Sequence, residues 1–216
     1  MSTSVTVVDY GIGNLFSVRR AFEHVGATVT LATTAEGVRR AERLVLPGVG
    51  AFASCMGELE GHGLREAVQE FTGTARPMLG LCVGMQMLFE SSSEFGNTSG
   101  LGLIPGEVVE IPHEAVDGTS HKIPHIGWNR LMEPPGGADW KGTILEGLSP
   151  NEAEVYFVHS FTGCPVKSEN RLADAEYGGR QISAAVREGS VFGCQFHPEK
   201  SGPTGLAIIN NFLRLA

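Results

Sequence analysis

The run Gly80-Leu81-Cys82-Val83-Gly84 constrains the fold more than any other segment. It joins an apolar, strand-like run ending at Leu81 to a helix-like run over Met85–Phe89. Glycine two residues either side of a cysteine is what a tight strand-to-helix turn demands. The turn pushes its central residue into a strained backbone conformation, and flanking side chains would clash. Such a turn exposes the sulfur at the end of a sheet and aims a helix N-terminus at it. That setting favours thiolate over thiol and offers backbone N–H groups to an oxyanion. Cys82 is therefore the expected nucleophile.

The rest of the first half has the alternation such a turn requires. Val5–Asp9 is a short β-rich run, and Leu15, Val18, Phe22 and Val25 then follow a helical period that Gly26 closes. Strands are expected over 28–31 and 43–47. A helical stretch over 52–73, broken near Gly61-His62-Gly63, precedes the turn at Cys82. Alternation at this spacing predicts a parallel sheet with helices on both faces. The second half reads differently. Strand-like runs at 107–111, 123–129, 155–161, 172–177, 182–187 and 191–196 are separated by Gly- and Pro-rich turns, and residues 204–215 close the chain as an amphipathic helix. These strands are expected as antiparallel additions to the parallel core. With no repeat or linker, residues 1–216 read as a single α/β domain.

Composition narrows the function. At 216 residues and 42% hydrophobic the chain supports one well-buried core, and no apolar run reaches the length of a membrane span. A net charge of −8 argues against nucleic acid as the main partner. The start, Met1-Ser2-Thr3-Ser4, has neither positive charge nor a following apolar stretch, which argues against a signal peptide. The four cysteines contain no CxxC pair, so a reduced, cytoplasmic protein is the simplest expectation. Cys55, Cys164 and Cys194 read as small buried hydrophobes.

A cysteine nucleophile needs a base, and the base needs a group that fixes its tautomer. The run Val191–Phe196 delivers His197, followed by Pro198 and Glu199. Residues two apart in extended backbone project to one side, so His197 and Glu199 can face one site, with Pro198 stiffening the link. Alone, His-Pro-Glu reads as a surface pair at a strand end; beside a Gly-x-Cys-x-Gly turn it reads as base and orienter. His121 and His125 have a zinc spacing only if helical, and Pro124 between them argues for extended chain, so no metal site is expected. His159 lies on a buried-looking strand and reads as a hydrogen-bonded core residue. Pro47-Gly48-Val49-Gly50 is a second glycine-rich element, where backbone N–H groups can approach a ligand and a peptide can flip at low cost. It lacks the Lys-Ser/Thr of a phosphate loop, and an oxyanion donor near Cys82 is the better fit. Asp9–Asn14 begins like a dinucleotide fingerprint but lacks its third glycine. No cofactor is expected.

Taken together, Gly80–Gln86 and Phe196-His197-Pro198-Glu199 resemble the class I, or triad, glutamine amidotransferases. Further segments resemble the glutaminase subunits of imidazole glycerol phosphate synthases, from histidine biosynthesis: Asp9–Asn14, Pro47–Gly50, Pro124–Asn129, Tyr156–Ser160 and His197–Ser201. The resemblance runs from residue 9 to the C-terminus. It implies that Cys82 attacks the side-chain amide of glutamine to form a γ-glutamyl thioester, that His197 protonates the departing ammonia and then activates water, and that Glu199 orients His197. It implies oxyanion donors from the backbone of Val83 and of Gly48, Val49 and Gly50. Gln86 and the backbone of Ser160 and Phe161 would hold glutamine's α-groups. The ammonia would pass to a separate (β/α)8-barrel synthase subunit in an expected one-to-one heterodimer. Asn14, Pro124, His125 and Lys200 are expected transmitters between site and docking face, with Trp128, Asn129 and Tyr156 on or near that face.

A partner is also required on chemical grounds. Ammonia released into water at pH 7 becomes ammonium, which is no nucleophile, and 216 residues hold no second synthase domain. Three competing readings are distinguishable. Another class I glutaminase, such as the partner of pyridoxal phosphate synthase, would lack the Pro124–Asn129 segment. A stand-alone cysteine hydrolase of γ-glutamyl peptides would need an open groove. A binding module that had lost catalysis would not need Cys82, His197 and Glu199 together.

Overall fold

The computed structural model describes residues 3–137 and 139–215. Met1 and Ser2 of the N-terminal segment considered above, with Ala138 and Ala216, lie outside the described residues. The first half runs β1 (Ser4–Val8), α1 (Leu15–His24), β2 (Thr28–Ala32), α2 (Ala35–Arg39), β3 (Leu44–Leu46), α3 (Phe52–Gly61), α4 (Arg65–Thr72), β4 (Met78–Leu81) and α5 (Val83–Gln86). The second half runs β5 (Phe89–Ser92), β6 (Thr98–Ser99), β7 (Ile104–Glu110), β8 (His125–Arg130), β9 (Glu154–His159), β10 (Phe161–Pro165), β11 (Arg171–Tyr177), β12 (Arg180–Glu188), β13 (Val191–Cys194) and α6 (Gly202–Arg214).

A 7-stranded sheet in the order β11-β12-β13-β4-β3-β1-β2 forms the centre. The strands from β13 to β2 pair in parallel, and β12 and β11 join them antiparallel, as expected of 182–187 and 172–177; the run 191–196, expected as an antiparallel addition, instead supplies β13, which pairs parallel to β4. Side-chain alternation explains why β3 is apolar at every position and β1 nearly so, with Ser4 and Thr6 its polar residues. On β1, Val5 and Val7 enter the core beneath α1 and α6, while Val8 enters the core beneath α3 and α4. On β3, Val45 takes the first side and Leu44 and Leu46 the second. Both faces of β3 are dry, so neither parity of that strand is polar. Each fully buried Val or Leu here contributes about 1.5–3 kcal/mol.

A second sheet, β10-β7-β5-β6, and the hairpin β8-β9 lie beside the first. The structure corrects the sequence reading further: β7 and β8 lie in these two smaller sheets rather than as additions to the parallel core. The run 155–161 is not one strand: β9 pairs with β8, and the chain changes sheets at Ser160 to pair β10 with β7. The helix expected over 85–89 is a four-residue turn over 83–86, and Phe89 already starts β5. Every residue from 83 to 89 is buried, so no polar face marked where helix gave way to strand. Cys164, read as buried, is exposed on β10, an edge strand of the second sheet. Cys55 and Cys194 are buried as expected.

Candidate active site

Cys82 sits between β4 and α5 with φ +54° and ψ −114°, the strained conformation that the flanking glycines predict. Its N–H donates to Cys194 O at 2.8 Å, and its carbonyl accepts from Met85 and Gln86 N–H, which locks the turn between β13 and α5. The glycines are steric necessities. A Cβ at Gly80 would stand 2.6 Å from Gly84 O, and one at Gly84 would stand 2.0 Å from Leu46 O. Gly48 is equally confined, since its Cβ would lie 2.5 Å from Gly84 N.

The base arrives from β13. Past Cys194 the chain leaves the sheet, and His197 is pinned by its own N–H to Tyr156 O (2.9 Å) and by Ser201 Oγ to its carbonyl (2.6 Å). A 3-10 turn over Pro198–Lys200 folds Glu199 back, so that its Oε1 lies 2.8 Å from His197 Nδ1 with both side chains buried. That pairing leaves Nε2 for the sulfur. Burial opposes a charge on the ring. Hydrogen bonding and charge from Cys82 and Glu199 outweigh it and raise the His197 pKa to about 9. The ring therefore stays protonated at pH 7, as an imidazolium held between Glu199 and the sulfur of Cys82. The folded pKa lies above the ordinary value of 6.5, so the stabilisation is complete below about pH 6.5 and is lost as pH rises through about 9.

Cys82, Val83, Gln86, Val49, Gly50, Phe161, His197 and Lys200 line one cavity of about 250 Å³. Gln86 Nε2 donates to Phe161 O at 3.1 Å, while the Ser160 carbonyl accepts from Ile111 N–H. The oxyanion element departs from the arrangement a catalysing site needs. Val83 N–H donates to the Gly48 carbonyl at 3.3 Å, so a carbonyl faces the donor expected to receive the oxyanion. The neighbouring carbonyls are held too, Pro47 O by Tyr10 Oη at 2.5 Å and Val49 O by Cys55 Sγ at 3.4 Å.

The remaining expected residues are spread around this centre. Asn14 caps α1 through Ser17 N–H and shares a narrow space with Pro47–Val49, His197 and Glu199. Trp128 and Tyr156 face each other across β8-β9, with Trp128 56% exposed. Pro124 is partly buried and joined to Ile123 by a cis peptide, and Asn129 bonds to Glu176 O. His125, an expected transmitter between site and docking face, is buried and bonded to His159, while His121 meets Pro112 O and Tyr177. Their ring nitrogens are thus engaged separately.

Sequence reasoning missed three polar residues. Buried Gln195 accepts from Gln86 at 3.0 Å and places its Nε2 4.0 Å from Cys82 Sγ. Its position beside His197 was a signal. Glu94 lines the cavity and accepts from Phe52 N–H at 2.6 Å; nothing in its Ser-Ser-Glu-Phe context marked it. Ser201, on both Tyr156 N–H and His197 O, clamps the base's loop to β9.

Glutamine in place of Glu199 preserves shape but not charge, so imidazolium loses a stabilising partner. We expect kcat to fall by two orders of magnitude or more with a smaller change in KM, and the alkaline loss of activity to begin at lower pH. An unchanged kcat and pH profile means that something else orients His197.

The class-I glutamine amidotransferase family model matches residues 6–216. Imidazole glycerol phosphate synthase subunit HisH 1 of Legionella pneumophila strain Lens is 51% identical over 213 residues, covering 99% of this chain and all of the relative. The HisH subunit of Nitrosospira multiformis is 43% identical over 222 residues, covering 98% of each chain. Among solved structures, PurLQS from Thermotoga maritima superposes with a TM-score of 0.71 at 17% identity over 99% of this chain and 98% of that one, a likeness of fold. The chain accordingly belongs to the class I glutamine amidotransferases and, within them, to the family of the HisH subunits of imidazole glycerol phosphate synthase.

Proposed function

We propose that this protein is the glutaminase subunit of an imidazole glycerol phosphate synthase, releasing ammonia from glutamine for a (β/α)8-barrel partner in a one-to-one complex. The observation that carries the reading is the buried His197–Glu199 pair beside a strained Cys82, in a chain of HisH-like sequence throughout. Cys82 thiolate attacks the side-chain carboxamide carbon, and the carbonyl oxygen becomes an oxyanion. His197 delivers its proton to the leaving nitrogen, ammonia departs, and a thioester remains on Cys82. His197, now neutral, takes a proton from water as it attacks the thioester, and glutamate leaves. The Glu94 carboxylate supplies a counter-charge for the α-ammonium group, and the Ser160–Phe161 backbone meets the α-carboxylate. The cavity volume fits a single amino acid better than a peptide, which weighs against a stand-alone γ-glutamyl hydrolase.

The Gly48 carbonyl on Val83 N–H supports a gate. Rotation of the Gly48–Val49 peptide would withdraw the carbonyl and turn an N–H toward Cys82. In this reading the free subunit rests closed, and the partner, carrying its own nucleotide substrate, favours the rotation through Asn14, Pro124, His125 and Lys200. The exposed side chains of Ile126 and Trp128, alternate residues on β8, suit a docking face beside the His197 loop. The test is to supply glutamine labelled with ¹⁵N in its amide to the subunit mixed with the barrel synthase and its substrate. Label is expected in the imidazole product and not in bulk ammonium. Label found only in bulk ammonium contradicts delivery, and no glutamate release contradicts the glutaminase reading.

A further inference from the structure

The Phe161 carbonyl is where two buried hydrogen-bond chains meet. Gln86 Nε2 donates to it at 3.1 Å, and His159 Nδ1 lies 2.8 Å from it on another side. A carbonyl only accepts, so His159 Nδ1 carries a proton and, in the neutral ring, Nε2 is bare. His125 Nδ1 lies 3.0 Å from that Nε2 and must therefore be the donor. His125 Nε2 is then an acceptor, and Asn129 Nδ2 stands 3.4 Å from it while also donating to Glu176 O at 2.7 Å. One donor direction runs from Asn129 through both rings to Phe161. Burial lowers both histidines, His125 to about 4 and His159 to about 3, helped by the neighbouring His121, His125 and His197 and opposed at His159 by the Phe161 carbonyl. Both rings are thus neutral at pH 7, as the chain of donors requires.

The strand register gives this chain its use. Ile111 N–H bonds Ser160 O, which makes Phe161 and Glu110 a non-hydrogen-bonded pair in the β10-β7 ladder. The N–H and C=O of Phe161 therefore both point away from β7, on the side of the cavity that Gln86, His159 and Phe161 line. We propose that His125 and His159 are positioning residues for substrate: their one-way pair fixes the Phe161 backbone so that its N–H meets the α-carboxylate of glutamine. This rests on the glutaminase reading above. Both rings also pack on Phe157, so the alternative is a purely structural role.

Long-range ¹H–¹⁵N spectra of the wild-type chain near pH 7 decide the tautomers. Protons on Nδ1 of both rings are expected, and an Nε2–H tautomer at His159 overturns the proposal. In the complex with the synthase, His159→Phe keeps the ring volume and is expected to raise glutamine KM about three- to tenfold with kcat within about twofold. His159→Asn places an amide nitrogen where Nδ1 stands and is expected to restore most of the affinity. An unchanged KM in His159→Phe, or an Asn variant no better than Phe, overturns the proposal. Should His159→Phe not fold, His125→Phe removes the donor to His159 and is expected to raise KM severalfold; an unchanged KM there is equally decisive. A wild-type complex that turns over no glutamine refutes the glutaminase reading itself, while the tautomer spectra still report on the pair.

Discussion

Alanine in place of Cys82 is expected to abolish the proposed glutamine hydrolysis and to leave the folded protein able to bind the proposed partner. The attacking atom is lost outright, since no other thiol lines the cavity among the described residues. Packing changes little. Cys82 is small, and its φ of +54° is imposed by its neighbours through hydrogen bonds of its backbone, which alanine keeps. The strain of that φ applies to alanine as it does to cysteine. Glutamate release is expected to fall to background, the thermal midpoint to stay within a few degrees, and ammonium supplied at high pH to sustain the coupled synthase. Persistent glutamate release from purified Cys82→Ala excludes Cys82 as nucleophile.

A single methyl group at Gly84 is expected to cost the protein much of its stability. Its carbon would stand 2.0 Å from Leu46 O and 2.9 Å from Leu46 C, and both are backbone atoms of a central strand. No rotamer relieves the clash, so α5 or β3 must move. Moving either disturbs the Cys82 turn and the Pro47–Gly50 element together. We expect Gly84→Ala to cost about 3 kcal/mol or more, lowering the thermal midpoint by roughly 6–12 °C. Gly57, whose Cβ meets nothing within 4 Å, is the control, and its alanine variant is expected to be neutral or slightly stabilising. Equal midpoints for the two variants contradict the close packing of the elbow on β3.

The residues that were legible in the sequence are those whose local chemistry is unusual. Gly80 and Gly84 announce the elbow because no side chain fits there, and His197 and Glu199 announce themselves by lying two apart, although a 3-10 turn over Pro198–Lys200 rather than extended backbone brings the carboxylate to the ring. The parallel core was legible because runs such as Leu44–Leu46 are apolar at every position, which only a strand buried on both faces permits. The change of sheet at Ser160 was not, because β9 and β10 have the same β-rich composition and only the long-range partners β8 and β7 tell them apart. Gln195 and Glu94 were missed for a related reason. Their roles come from contacts 109 residues away at Gln86 and 42 residues away at Phe52. The contact between His125 and His159 was not legible for the same reason, since the two rings meet only through the pairing of β8 with β9.

The closed oxyanion site makes a quantitative demand. In the gate proposed above, the Gly48 carbonyl faces Val83 N–H, and the Gly48–Val49 peptide withholds one oxyanion donor from the free subunit. One such donor is worth roughly 10²–10³ in kcat. Glutamate release should therefore be measured for the subunit alone, with the barrel synthase, and with the synthase loaded with its nucleotide ligand. The expected result is a rise in kcat of about 10²–10³ on loading, with glutamine KM little changed. Equal rates in all three states would show an oxyanion site already formed in the free subunit, and would contradict the gate.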